Sequence, residues 1–262
     1  MEYIPTAAED VALHLRYHTA MIRGVDVGVS LPRAGAKIVV RVPAMGPASR
    51  KMTKGKEHMD AIYEVTRKDK IGAKRAAIKA LKVVERELGA VETGEEVLWG
   101  GTKSGEPVFK VYLYVRRDDK CIGLLLAQRI RHAQRVAFEA DSKKEEEAET
   151  LQERREKAFA TLFYQDPVYV PIEDKKEDPV TAILGVSRIW VSQEYRGRGI
   201  AEEMLEAASG NFLSGVKVTE TKVAFSQPTE AGMKLVKKWR TKGGRCKAVD
   251  WLMYDECDVD GV

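Results

Sequence analysis

Apolar residues recur along this chain with two different periods. From His58 the pattern reads as helical, and over Ala73 to Leu88 it sets Ala76, Ala77, Ala80, Leu81, Val84 and Leu88 on one stripe. Gly89 follows as a helix stop. Phe109 to Val115 and Cys121 to Ala127 are β-prone runs joined by the polar stretch Arg116 to Lys120, which predicts a hairpin. The second half predicts a strand over 182–191, a turn, a helix over 199–212, a strand over 222–226, a helix over 229–240 and a terminal strand over 247–254. That order implies an α/β (α+β) domain, with one mixed sheet and helices on both faces.

The N-terminal part is less regular. It offers a short helix over Glu9 to Met21, a glycine-punctuated turn over Gly24 to Gly28, and a β-branched run over Lys37 to Val42. Pro43 to Lys56 is a basic loop broken by glycine and proline; without an aromatic residue to stack a base, it reads as a solvated loop. Residues 138–160 are crowded with Glu, Lys and Arg and read as an exposed helix or a flexible insertion. The chain shows no internal repeat.

Composition narrows the classes. At 262 residues and 44% apolar, the chain holds one large domain or an ordinary domain with an appendage. No run of about 18 apolar residues occurs, so no membrane span is expected. A basic-then-apolar secretory pattern is also missing, so an intracellular location is the expectation. Three cysteines, Cys121, Cys246 and Cys257, are too few and too scattered for a disulfide framework. As nucleophiles, Cys121 and Cys246 lack an evident His partner. A net charge of +4 permits nucleic-acid binding without demanding it.

Candidate chemistry concentrates at Arg196-Gly197-Arg198-Gly199-Ile200-Ala201, between the predicted strand and helix. Two glycines let backbone N–H groups approach an anion, two arginines neutralise it, and the helix adds its positive end. No Gly-Lys-Ser/Thr follows, so a pyrophosphate without Mg²⁺ is the expected ligand. On its own, such a turn is also what an ordinary surface loop looks like.

The neighbouring residues add to this. Arg-x-x-Gly-x-Ala at 196–201 matches the acetyl-CoA signature of the Gcn5-related N-acetyltransferases. Val186 to Val191 (VSRIWV), Asn211-Phe212 and Ala224 to Pro228 (AFSQP) then resemble, in order, the acetyltransferase domain of the cohesin acetyltransferases, the establishment-of-cohesion family. Glu85 to Gly89 and Gly123 to Ala127 extend the resemblance weakly over most of the chain. It implies the Gcn5-related N-acetyltransferase fold over 57–262, with 138–165 as a charged insertion, after an N-terminal segment 1–56.

The resemblance further implies acetyl-CoA as cofactor, held by Ile189, Trp190, Val191, Arg196, Gly197, Arg198, Gly199, Ile200, Ala201, Glu202, Thr229, Glu230 and Ala231. Glu206, Ser187 and the residue at 227 match positions implicated in catalysis. Here position 227 is Gln227, where animal members carry Asp, and a neutral amide cannot take a proton. That shifts weight to Glu206, a water relay, or a carboxylate of the protein substrate. Helical periodicity sets Glu206 opposite the apolar stripe beside Glu202 and Glu203, where a solvated acid is the simpler reading. Ser187, on a core strand, also reads as a satisfied polar residue.

The family carries a Cys-x-x-Cys…His-x-x-x-His zinc finger. Glu9-Asp10, His14 and Tyr17-His18 resemble its second half, but the cysteine pair would fall upstream of Met1. Two histidines cannot close a structural zinc site, so no tight metal is expected in 1–262. The implied partner is a cohesin Smc subunit as protein substrate, with chromatin and replication factors, in the nucleus. Two alternatives stand beside it: a small-amine acetyltransferase of the same fold, and a non-catalytic chromatin-binding module.

Overall fold

The computed structural model describes residues 8–28, 30–43, 59–102, 105–137, 180–242 and 250–256. The charged insertion at 138–165, the loop at 44–56, Cys246 and Cys257 lie outside them. The described chain is built on one mixed sheet of ten strands. Strands β2 (Lys37–Pro43), β3 (Met59–Val65), β4 (Phe109–Val115), β5 (Lys120–Arg129) and β8 (Leu184–Val191) follow one another antiparallel. Strand β8 then pairs in parallel with β9 (Val223–Phe225), and β9 with β10 (Asp250–Met253). The hairpin β6 (His132–Ala137) with β7 (Val180–Thr181) closes that edge antiparallel, and β1 (Val25–Asp26) pairs with β5.

One expectation is corrected. Residues 59–65 are a central strand, and the helix begins at Ile71. Ala61, Ile62, Tyr63 and Val65 are buried between neighbours on both sides. Branched and aromatic side chains fit a pleated surface better than a helix, and a strand buried on both faces loses its alternation. The hairpin at Arg116–Lys120 is present, closed by the Lys120 carbonyl accepting the Arg116 N–H at 2.9 Å.

Helices cover both faces. On one, α3 (Ile71–Leu88) packs Ala73, Ala77, Ala80 and Val84 against Val65, Val111, Leu113, Leu124 and Trp190, with α1 (Ala8–Arg23) beside it and the short α2 (Ser30–Arg33) and α4 (Glu95–Leu98) adding Leu31 and Leu98. On the other, α5 (Ile200–Asn211) and α6 (Glu230–Thr241) cover Ile62, Tyr112, Leu125, Val186 and Phe225. The described part of residues 1–56 thus adds α1, β1 and β2 to the same layers. Cys121 is fully buried, and burial pushes its thiol up to about 12, far from a nucleophile's range.

Candidate functional site

The sheet opens in the middle of β8. Strand β5 follows β8 along its length, but β9 pairs only at Leu184–Val223, Gly185–Ala224 and Val186–Phe225. Strand β9 is three residues long; after it, the Ser226 N–H still reaches the Val186 carbonyl at 3.1 Å. The chain then turns away through Gln227 and Pro228 into α6. Among the described residues, the second half of β8 has a neighbour on one side only.

At the parting point the β5 register slips between Leu126↔Arg188 and Ala127↔Val186, so Ser187 is an extra residue in β8. Such a bulge bends its strand and re-aims the next residues. Beyond it, the Ser192 N–H donates to the Ile122 carbonyl at 2.9 Å, which marks Ile122/Ser192 as a hydrogen-bonded pair. Antiparallel pairs alternate, so Leu124/Trp190 is bonded as well, while Leu125/Ile189 and Gly123/Val191 are not. The backbone N–H and C=O of Ile189 and Val191 therefore point into the wedge that β9 has left, and those of Trp190 point to β5.

The wedge ends at the glycine turn. A short 3₁₀ turn, Gln193–Tyr195, leads to Gly197 at φ 75° and Gly199 at φ 83°. A Cβ at either glycine would meet nothing within 4 Å, so the backbone conformation, not space, demands glycine. Gly199 is the N-cap of α5 and brings no side chain to its first N–H groups, which stay available as anion donors.

The arginines divide the work differently from the sequence expectation. Arg196 is committed: its Nη2 lies 2.6 Å from Glu87 of α3, and its Nε donates to the Val191 carbonyl at 3.0 Å. The second Glu87 oxygen accepts the Trp190 indole at 2.6 Å. Arg198 is exposed, its guanidinium 5.1 Å from the centre of the Tyr195 ring. Two further cations stand near the first turn of α5: Lys238 of α6 and Lys242, just past its end, lie 2.5 and 3.5 Å from Glu202. The Lys238 hydrogen bond holds the Glu202 carboxyl below its usual range.

The three glutamates of α5 are not a solvated face. Glu202 is buried, and Glu203 and Glu206 are half-buried. Burial raises the Glu203 pKa. Glu206 accepts the Trp239 indole on Oε1 at 3.2 Å and Lys217 on Oε2 at 3.1 Å. Its environment comes from α6 and the loop after α5, which helical periodicity cannot report. Gln227 is exposed just past β9. Thr229 caps α6 by accepting the Gly232 N–H at 3.3 Å, and Glu230 and Ala231 form its exposed first turn.

Ser187 has a partner that sequence reasoning missed. Its hydroxyl donates to Glu256 Oε1 at 2.8 Å, and Arg188 Nη1 donates to the same oxygen. The Ser226 hydroxyl donates to the Ser187 carbonyl at 3.0 Å. Burial lifts the Glu256 pKa, but the Arg188 and Ser187 hydrogen bonds outweigh it and hold the carboxyl below its usual value. Behind this group, the buried Tyr254 hydroxyl donates to Gln128 at 3.2 Å. Glu256 sits among acidic residues at 255–260, and nothing in the local sequence points to Ser187.

His14 and His18 stand one turn apart on α1, their ring centroids 4.3 Å apart. Among the described residues, no group of three or more His, Cys, Asp or Glu side chains converges as a metal site would require. No helix there is long and apolar enough to cross a membrane.

Comparison with known proteins matches residues 180–254 to a family described as ESCO1/2 acetyl-transferase. The N-acetyltransferase eso1 of Schizosaccharomyces pombe is 30% identical over 97% of the chain, which spans 24% of that protein. The N-acetyltransferase ECO1 of Saccharomyces cerevisiae is 26% identical over 91% of the chain, which spans 80% of it. Among solved structures, the xEco2 acetyltransferase domain bound to a CoA conjugate is 26% identical, with a TM-score of 0.53, covering 75% of this chain and 92% of that one.

Proposed function

The chain belongs to the Eco1/ESCO family of N-acetyltransferases, and from that premise we propose that it transfers acetyl from acetyl-CoA to a lysine on the ATPase head of cohesin's Smc subunit. This is the reaction that would establish sister-chromatid cohesion during replication, with the protein at chromatin in the nucleus. The observation that carries the proposal is the junction of an opened β8 with an uncapped glycine turn. A thioester carrier with a long polar arm and a pyrophosphate needs both in sequence.

Acetyl-CoA supplies the activated acetyl group. The N–H groups from Gly197 to Glu202 would hold its pyrophosphate, with Arg198 as the exposed cation, and Ile189 and Val191 would offer backbone partners along the wedge. Arg196 shapes the turn by pinning it to Glu87 and Val191. A backbone N–H of β8 is preorganised to stabilise developing oxyanion charge, because the strand pays no reorganisation when charge appears. The acceptor must also lose protons: only about one lysine in 2,500 is neutral at pH 7. Ser187, Glu206 and Gln227 are the family-matched candidates around that step. A zinc finger would need ligands besides His14 and His18.

Incubation with labelled acetyl-CoA and cohesin head fragments, followed by mass-spectrometric mapping of acetyl-lysine, tests the reading. Transfer to head lysines is the expected result. Transfer only to free polyamines would replace the protein substrate with a small amine, and cofactor binding without any transfer would leave a non-catalytic module.

A further inference from the structure

The acceptor side of the site needs a negatively charged group, because a lysine reaches it as an ammonium in almost every encounter at neutral pH. The two positions that resemblance offers for such a group do not supply it freely. Gln227 is neutral. Glu206 has an oxygen on Trp239 and an oxygen on Lys217. Glu256, by contrast, reaches the point where β8 and β9 part, 2.8 Å from the bulged Ser187.

Its ion pair with Arg188 is lopsided in a useful way. Arg188 keeps only 12% of its side chain exposed, and Nη1 is spread over three acceptors: Glu256, the Ser187 carbonyl at 2.8 Å and the Ser187 hydroxyl at 3.1 Å. Glu256 keeps 35% exposed. Both Ser187 and Arg188 converge on the same oxygen, Oε1. What this pair presents to solvent is therefore mainly its acid. Position is fixed as well as charge: β10 pairs with β9 at Met253↔Phe225, and the Tyr254 N–H continues to the Phe225 carbonyl at 3.2 Å. Residues 254–256 thus run on beside Ser226 and Gln227 into the mouth of the wedge.

We infer that Glu256 is the acceptor-docking carboxylate of this chain, drawing the lysine ammonium to the mouth of the β8–β9 wedge beside Ser187. It takes the place on the acceptor side that Gln227 cannot fill as a charge. The inference rests on the acetyl-transfer reading of the site and adds to it a specificity group for cationic amines.

The test compares binding of CoA alone with binding of a lysine–CoA conjugate by calorimetry, in wild type, Glu256→Gln, Glu256→Asp and Ser187→Ala, with circular dichroism to verify folding; the lysine nitrogen is joined to the CoA sulfur through a two-carbon alkyl link, so that it stays an ammonium. Losing one charge-assisted contact predicts that Glu256→Gln weakens the conjugate about tenfold while CoA alone stays within about twofold. The wild-type preference for the conjugate should fade as salt rises, that of Glu256→Gln should not, and Glu256→Asp should recover part of it. In steady state, Glu256→Gln should raise KM for a lysine peptide more than it lowers kcat. Equal conjugate affinity in Glu256→Gln and wild type overturns the inference. So does a loss in Ser187→Ala that matches Glu256→Gln with the salt dependence gone, since Glu256 would then only prop the serine. Failure of wild type to bind CoA would instead overturn the acetyl-transfer reading itself.

Discussion

Arg196 is bound to Glu87 at 2.6 Å across two elements, so the glycine turn after β8 is anchored to helix α3 on the opposite face of the sheet from α5. The same glutamate receives the Trp190 indole. One acid therefore fixes both the strand that lines the wedge and the turn that ends it. Glu87→Ala should leave the Trp190 N–H without its partner and release the turn. Stability should fall by about 1–3 kcal/mol, the usual cost of a stranded buried donor, read from urea denaturation. Acetyl-CoA affinity should fall with it. Arg196→Glu should be more severe for binding than for folding, because it places an acid against Glu87 and beside the anion. Unchanged cofactor affinity in Arg196→Glu would remove the turn from the site.

Gly199 tests the backbone requirement separately. At φ 83° a side chain is strained, although nothing lies within 4 Å of a built Cβ. Gly199→Ala should cost about 1–2 kcal/mol, the penalty for an L-residue in the left-handed region. Gly199→Asp adds an acid among the first-turn N–H groups and should abolish acetyl-CoA binding while the fold survives. Calorimetric titration of both variants separates strain from charge: Ala weakens binding modestly, Asp removes it.

The legibility of this molecule followed the range of the interactions concerned. Strand β8, helix α5 and their turn were readable because Val186–Val191 and Arg196–Ala201 carry their own periodicity and glycines. Residues 59–65 resemble a helix in sequence because a strand buried between β2 and β4 shows an apolar run without alternation, a pattern that a buried helix shares. Arg196 looked like a free phosphate ligand because its partner is 109 residues away in sequence. Glu256 was invisible for the same reason: it meets Ser187 across 69 positions. The wedge itself comes from the shortness of β9, which hydrophobic pattern does not encode.

Gly185 of β8 makes a close approach to the chain that carries Glu256. A Cβ there would lie 2.7 Å from the Tyr254 ring. Gly185→Ala should push that ring, loosening its hydroxyl from Gln128 and shifting the Glu256 end of the chain. Overpacking of this kind costs about 1–3 kcal/mol. A melting curve should show the loss, and conjugate binding should weaken more than binding of CoA alone.

Acid sensitivity should pass through Glu202. Its pKa is lowered in the folded protein, first by the Lys238 hydrogen bond, against an ordinary value of 4.5. A lowered folded pKa means that the unfolded chain binds the proton more readily. The contribution is therefore complete above the unfolded pKa and is lost as pH falls through the folded one. Glu202→Gln should reduce stability near neutrality, and its deficit against wild type should shrink as pH drops below about 4.5. Urea midpoints from pH 7 down to about pH 3 measure this. A deficit constant with pH would mean that packing against α6, not the charge pair, is what Glu202 supplies.

Glu206 is the residue on which the catalytic reading turns. It lies half-buried between Trp239 and Lys217, and Trp239 packs edge-on against Phe225 of β9 with ring centroids 6.4 Å apart. The acid is thereby linked to the strand that leaves the wedge. If it accepts a proton during transfer, Glu206→Gln should lower kcat by about 10²-fold or more, the usual scale of general-base loss. Acetyl-CoA affinity should hold, because the amide oxygen can still receive the Trp239 indole. If Glu206 only braces α5 against α6, the same variant should retain near-wild-type turnover, and Lys217→Ala should mimic whatever stability it loses. Single-turnover rates for both variants decide between a proton acceptor and a brace, since only the former predicts a slow chemical step in a protein of normal stability and normal cofactor affinity.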